Sequence, residues 1–186
     1  MTMARFTNQL LIAMPTLADA NFSRTVTLIC EHNEHGALGV VVNRPTEVRL
    51  GTLFEHFDIV TDNEHIADTL VYAGGPVQLE RGFILHAPLG AWDSTLTIED
   101  DVGLTSSLDI LAAMAAGEGP ARSLVALGYA GWGGGQLEQE IADNAWLTVP
   151  GDTILLFDVP AEQRWQAAAR KLGVDLGLIA GHAGHA

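Results

Sequence analysis

Two residues of this 186-residue chain, Cys30 and His32, stand at a spacing that suits thiol chemistry. On a β-strand, residues i and i+2 share a face. A neighbouring imidazole lowers a thiol's pKa and makes it nucleophilic or redox-responsive. Against this stands the company Cys30 keeps: Val26 and Leu28 share its face, which reads as buried, and a buried cysteine behaves as an inert small hydrophobe. Two such residues do not make a metal site, so no metal is expected.

A second set lies at the open end of the hairpin that Cys30 would occupy. Simple pairing across a turn at Asn33–Gly36 places Cys30 opposite Gly39 and Thr25 opposite Arg44. It also brings Asn21, Ser23 and Arg24 close to Asn43 and Arg44. Two guanidinium groups among amide and hydroxyl donors suit a carboxylate or phosphate, which arginine grips bidentately. The competing reading is that the arginines bind the chain's own acids, such as Asp19 or Glu47. Six residues of strand, about 20 Å at about 3.3 Å each, separate Arg24 from Cys30. The two sets therefore do not act on one small substrate.

The third set is Gly128-Tyr-Ala-Gly-Trp-Gly-Gly-Gly135. Read as a glycine loop from a strand into a helix, it offers the backbone N–H groups of Gly128, Gly131, Gly133 and Gly134 to an anion, with Trp132 free to stack on a ligand ring. The motif lacks the spacing of GxGxxG and the Lys-Ser/Thr pair of a phosphate loop. Tight packing that only glycine tolerates explains it equally well.

The elements that must position these residues follow from apolar patterning. Residues 9–14, 26–32 and 37–43 read as strands, the third apolar on both faces and hence central in a covered sheet. Apolar residues at 50, 53, 54 and 57 have the spacing of a short helix, and residues 61–68 read as a loop. Further strands are expected at 69–72, 82–86, 95–98, 123–129 and 146–149. Helices are expected at 107–116 with Ser106 as cap, at 135–144 and at 161–172. The pattern gives a single domain over residues 1–186. Its class is α/β, a compact sandwich with a mixed, partly antiparallel sheet flanked by helices. The tail 181–186 lies outside that core and reads as flexible.

Composition narrows the partners. The net charge is −14, with one lysine among nine basic residues, and such a surface repels a phosphate backbone. Direct nucleic-acid binding through a broad basic face is therefore not expected. The lone cysteine forms no internal disulfide, in keeping with a reducing compartment. The apolar run near the N-terminus is too short for a signal sequence, and no stretch approaches a membrane span. The expected setting is cytoplasmic, without membrane association.

The phrases Asn21-Phe-Ser-Arg-Thr25, Cys30-Glu-His-Asn33, Gly36-Ala-Leu-Gly39, Asn43-Arg-Pro45, Tyr72-Ala-Gly-Gly-Pro76 and Gly128-Tyr-Ala-Gly-Trp-Gly133, with Glu138–Asn144 and Ala145-Trp-Leu147, resemble the YqgE/AlgH family of bacterial proteins. The resemblance runs from about Leu10 to about Leu172. It implies a compact α/β fold, a bacterial cytosolic setting and the label of a transcriptional regulator. It supplies no catalytic residues and no cofactor.

Together these readings point to a non-enzymatic regulatory protein that binds a small anionic ligand or a protein partner. The alternatives are a Cys30-dependent thiol enzyme or redox-responsive protein, and a direct transcriptional regulator. Nothing in the sequence speaks to oligomeric state.

Overall fold

The computed structural model describes residues 5–17, 19–99 and 101–177. The tail 181–186 lies outside them. Among the described residues, ten strands form one curled sheet and five α-helices pack on it. The strands are β1 (Gln9–Ala13), β2 (Val26–Asn33), β3 (Gly36–Val41), β4 (Pro45–Arg49), β5 (Leu70–Ala73), β6 (Val77–Ala87), β7 (Thr95–Glu99), β8 (Val102–Thr105), β9 (Arg122–Gly133) and β10 (Trp146–Pro150). The main path runs β10-β1-β2-β3-β9-β6-β8-β7. Every pairing is antiparallel except β5 with β9. The fold is thus mixed α/β with a mostly antiparallel sheet.

The helices are α1 (Leu50–His56), α2 (Glu64–Ala67), α3 (Leu108–Ala115), α4 (Gln136–Ala142) and α5 (Arg164–Arg170). Because the sheet curls, Ile98 and Val102 near its β7 edge meet Leu10, Val26 and Leu28 in one buried cluster. Leu155, Leu156, Trp165, Ala168 and Ala169, from a π-turn at Ile154–Asp158 and from α5, cover the same cluster. A second cluster fills the opposite face of β6 and β9 beneath α1 and α3, around Leu50, Phe54, Ile84, Ile110 and Val125. A third lies under α4, around Ile29, Trp132, Leu137 and Trp146.

The first three strands fall where apolar patterning predicts, and β3 is central, between β2 and β9. Several elements differ from expectation. The segment read as a loop at 61–68 contains α2, nucleated by the Asn63 side chain, which accepts the Ile66 N–H at 3.1 Å. The cap of α3 is Ser107, not Ser106. The closing helix begins as a 3-10 turn at Ala161–Gln163.

Buried polar groups on the inner side are matched with care. His86, fully buried, donates Nδ1–H to the Pro88 carbonyl at 3.0 Å and accepts the Thr105 hydroxyl at 2.7 Å. Burial lowers its pKa, so the ring is neutral. Arg164, 4% exposed, donates Nε–H to Val159 at 2.8 Å and Nη1–H to the Val42 carbonyl and the Tyr72 hydroxyl.

Candidate functional site

The hairpin end does gather the predicted residues, but around main-chain acceptors. Arg44 donates Nη1–H to the Asn21 carbonyl and Nη2–H to the Ser23 carbonyl, each at 2.7 Å. Asn43 accepts the Val26 N–H at 2.9 Å and donates to the Arg24 carbonyl at 2.9 Å. Arg24 itself has φ 56°, and its guanidinium lies 5.3 Å from the centre of the Trp165 ring. These groups tie the 19–25 loop to the segment between β3 and β4 and leave Arg24 as the exposed cation of the set.

The glycine set at 128–135 is not a loop. Strand β9 continues through Gly133, and only Gly134 and Gly135 turn into α4. Trp132 is buried and donates its indole N–H to Glu140 Oε1 at 3.1 Å; Trp146 donates to the same oxygen at 3.0 Å. Trp132 is therefore a core residue held by α4, not a free stacking platform. Gly128 has φ +78°, and a Cβ there would stand 2.4 Å from the Gly75 carbonyl oxygen. A Cβ on Gly134 would meet the Glu34 carbonyl at 2.6 Å, whereas Gly131 and Gly133 have room. The Gly133 N–H donates to the Gln136 side chain at 3.0 Å. Close approach of backbones explains the tightest of these glycines.

Cys30 and His32 are separated by a β-bulge. The pairing is Ile29 opposite Gly39 and then Glu31 opposite Leu38, so Cys30 is the extra residue and does not face Gly39. An added residue inverts side-chain parity beyond it. Cys30 accordingly packs in the inner cluster. His32 turns to the α4 side, accepting the Phe6 N–H on Nδ1 at 3.0 Å and donating Nε2–H to Glu138. Cys30 is 1% exposed, and burial, with a smaller contribution from the Glu31 charge, pushes its thiol up to about 12. A thiol so placed has neither the access nor the ionisation that catalysis needs. Among the described residues no group of acids, histidines and cysteine is arranged to hold a metal ion.

An apolar concavity lies elsewhere, among residues outside the three sets. Between the end of α1 and the start of α3 a groove of about 350 Å³ opens onto the outer face of β6 and β9. Gly82, Ile84, Val125 and Leu127 form its floor; Leu53 and Phe57 stand on one wall, Leu108 and Leu111 on the other. Phe57 is 41% exposed and Leu108 50% exposed. Gly82 keeps the floor low: a Cβ there would meet nothing nearer than Leu127 Cδ2 at 3.8 Å. At the α3 wall the Ser107 hydroxyl and the Ile110 N–H both donate to Asp109 Oδ1, the hydroxyl above all holding that carboxyl below the usual range. The signal available in sequence was the exposed apolar residue Leu108 beside a helix start, next to a glycine in a strand. Neither reveals a groove until four distant segments are brought together.

Architecture and sites together define a mixed α/β protein on a curled sheet, with an apolar groove between α1 and α3. The model of the AlgH-like family matches residues 10–177, and the chain belongs to that family. A UPF0301 protein of Thioalkalivibrio sulfidiphilus is 61% identical over 98% of both chains. One of Nitrosococcus oceani is 51% identical, covering 100% of this chain and 99% of its own. Among solved structures, the AlgH protein of Pseudomonas aeruginosa superposes with a TM-score of 0.80 at 46% identity, over 96% of each chain. A Corynebacterium diphtheriae protein, 20% identical with a TM-score of 0.75 over 96% of this chain and 93% of its own, shares the fold.

Proposed function

We propose that this is a non-enzymatic docking protein of the bacterial cytoplasm. Its α1–α3 groove takes the apolar side chains of an amphipathic helix presented by a protein partner. The observation that carries the proposal is the groove itself: an apolar floor left low at Gly82, between two helices that leave Phe57 and Leu108 half out of the core. Helix-in-groove recognition uses this geometry, with anchors at i, i+3 or i+4, and i+7. Glu80 lines the groove, and Glu55 and Asp58 are exposed at the end of α1. With a net charge of −14, this favours a partner helix flanked by lysine or arginine. Two or three leucine-sized anchors contribute about 1.5–3 kcal/mol each. After the cost of association this corresponds to a reversible, regulatory affinity.

A regulatory role then works through the partner and not through DNA, consistent with the acidic surface. The lone buried cysteine suits a reducing compartment. Among the described residues no helix is long and apolar enough to cross a membrane. The small-anion reading keeps the exposed Arg24 with the Asn21 and Ser23 side chains, because Asn43 and Arg44 are engaged with the chain itself, Arg44 on the Asn21 and Ser23 carbonyls.

The test is a residue-resolved NMR titration with a basic amphipathic model helix and its scrambled control. Shifts should concentrate on α1, α3 and Gly82, and vanish in Gly82→Phe, whose ring fills the floor. Binding that persists in Gly82→Phe would overturn the groove. Inorganic phosphate shifting only Arg24 and Arg44 would instead favour the anion reading.

A further inference from the structure

At the opposite end of the α1–α3 layer lies a second concavity of about 390 Å³, toward the small end of the roughly 300–1,000 Å³ usual for ligand sites. Its floor is apolar, formed by Leu50 and Met114 from the buried cluster with Ile66 and Phe157. Its rim carries two opposite charges: Arg122, at the start of β9, and Asp158, in the π-turn, stand 3.0 Å apart. Their side chains are 41% and 45% exposed. Ser123 and His65 stand on the same rim.

An ion pair this exposed contributes little to stability, because solvent screens it and holding two side chains in register costs entropy. Opening it therefore costs little, and each partner then offers its charge to a ligand. Arg122 presents a fork suited to a carboxylate, and Asp158 accepts from an ammonium. A purely anionic amphiphile would satisfy Arg122 but meet the Asp158 charge; a cationic one would have the reverse conflict. Opposite charges this close together, above an apolar floor, match a molecule whose own opposite charges are one carbon apart. From this we infer that the pocket binds a free α-amino acid with an apolar side chain, carboxylate to Arg122, ammonium to Asp158 and side chain against Leu50 and Met114. This inference is independent of the docking groove.

The experiment is an NMR titration of the whole protein with L-leucine, L-methionine and L-phenylalanine to about 10 mM, above the millimolar Kd a small ligand in a half-open site reaches. Saturable shifts are expected at Met114, Arg122, Ser123 and Asp158. N-acetyl-leucine, without the ammonium, and leucinamide, without the carboxylate, should each bind at least tenfold more weakly. Arg122→Gln and Asp158→Asn should weaken leucine binding by a similar factor, and Gly82→Phe should leave it unchanged. N-acetyl-leucine binding as well as leucine would overturn the assignment in favour of an anionic amphiphile. No saturable shift with any of the three amino acids would mean that the pair only braces the π-turn against β9.

Discussion

Strand β9 separates two regions of different character. On its inner side, where Leu124 and Ala126 face the curled sheet, the conspicuous polar residues are bound to the chain itself. His86 is held at both ring nitrogens, Arg164 by two carbonyls and a phenol, and Arg44 by two more carbonyls. On its outer side, Val125 and Leu127 carry a thin helical layer, and both concavities described above open at its ends. The difference teaches where to look for binding. A polar side chain already satisfied by its own backbone has little left for a ligand, whereas an apolar floor beneath exposed groups has interaction still to gain.

The comparison breaks first at Cys30. If the inner side is closed, a thiol reagent labels the native protein only through opening. Moving the thiol from its ordinary 9.0 to about 12 reduces the thiolate by about a thousandfold at neutral pH, before any steric exclusion. The native labelling rate should therefore rise with pH without a midpoint below pH 9, and should jump on unfolding. Fast labelling near pH 7 would reopen the inner side as a site of thiol chemistry.

The next largest effect is expected at Gly128, where β9 passes the Gly74–Gly75 turn. Alanine there must hold φ +78° and place its Cβ 2.4 Å from a carbonyl oxygen. The left-handed backbone alone costs about 1–2 kcal/mol, and the clash adds to it, so Gly128→Ala should lose about 3 kcal/mol or more in denaturant unfolding. Glu140→Ala should follow at about 2–3 kcal/mol, because it strands two indole N–H donors on a charged acceptor's former position. Glu140→Gln keeps the shared oxygen and should lose less. A Glu140→Ala variant as stable as the parent, with unchanged tryptophan fluorescence, would show that the clamp is decorative.

How far these features could be read from sequence depends on how local their causes are. Strands β1 to β3 were legible because runs such as Val26-Thr-Leu-Ile-Cys30 specify burial directly. The hairpin turn was legible from Asn33 and Gly36. Strand β4 was not: Pro45-Thr-Glu-Val-Arg49 is half polar and largely exposed, with no alternation to mark it. Strand β8 is four residues long and includes Gly103, so its β character comes from its neighbours β6 and β7. The bulge at Cys30 has no composition signature, yet it decides that Cys30 and His32 point to opposite faces. The glycines of β9 were conspicuous, but whether they served a ligand or a close backbone contact depended on Gly74 and Gly75, more than fifty positions away. The convergence of Asn43 and Arg44 on the 21–24 loop is legible from hairpin pairing; that main-chain carbonyls fill the guanidinium is not, because carbonyl positions are set by loop conformation. The groove draws on α1, β6, α3 and β9, and no single segment announces it.

The smallest expected effect on stability sharpens the comparison most. Gly82 lies in β6 with φ outside the left-handed region, opposite Leu127, and a Cβ there has open space before it. Phenylalanine suits a strand better than glycine does, and its ring would lie along apolar floor already present. Gly82→Phe should therefore unfold within about 0.5 kcal/mol of the parent, while removing the binding of an amphipathic helix. The same addition of a side chain to a β-strand glycine would be destructive at Gly128 and harmless at Gly82, because one glycine touches backbone and the other faces a vacancy. If Gly82→Phe instead cost as much as Gly128→Ala, the outer layer would be as tightly matched as the inner one, and the groove would be packing space and not a place for a partner.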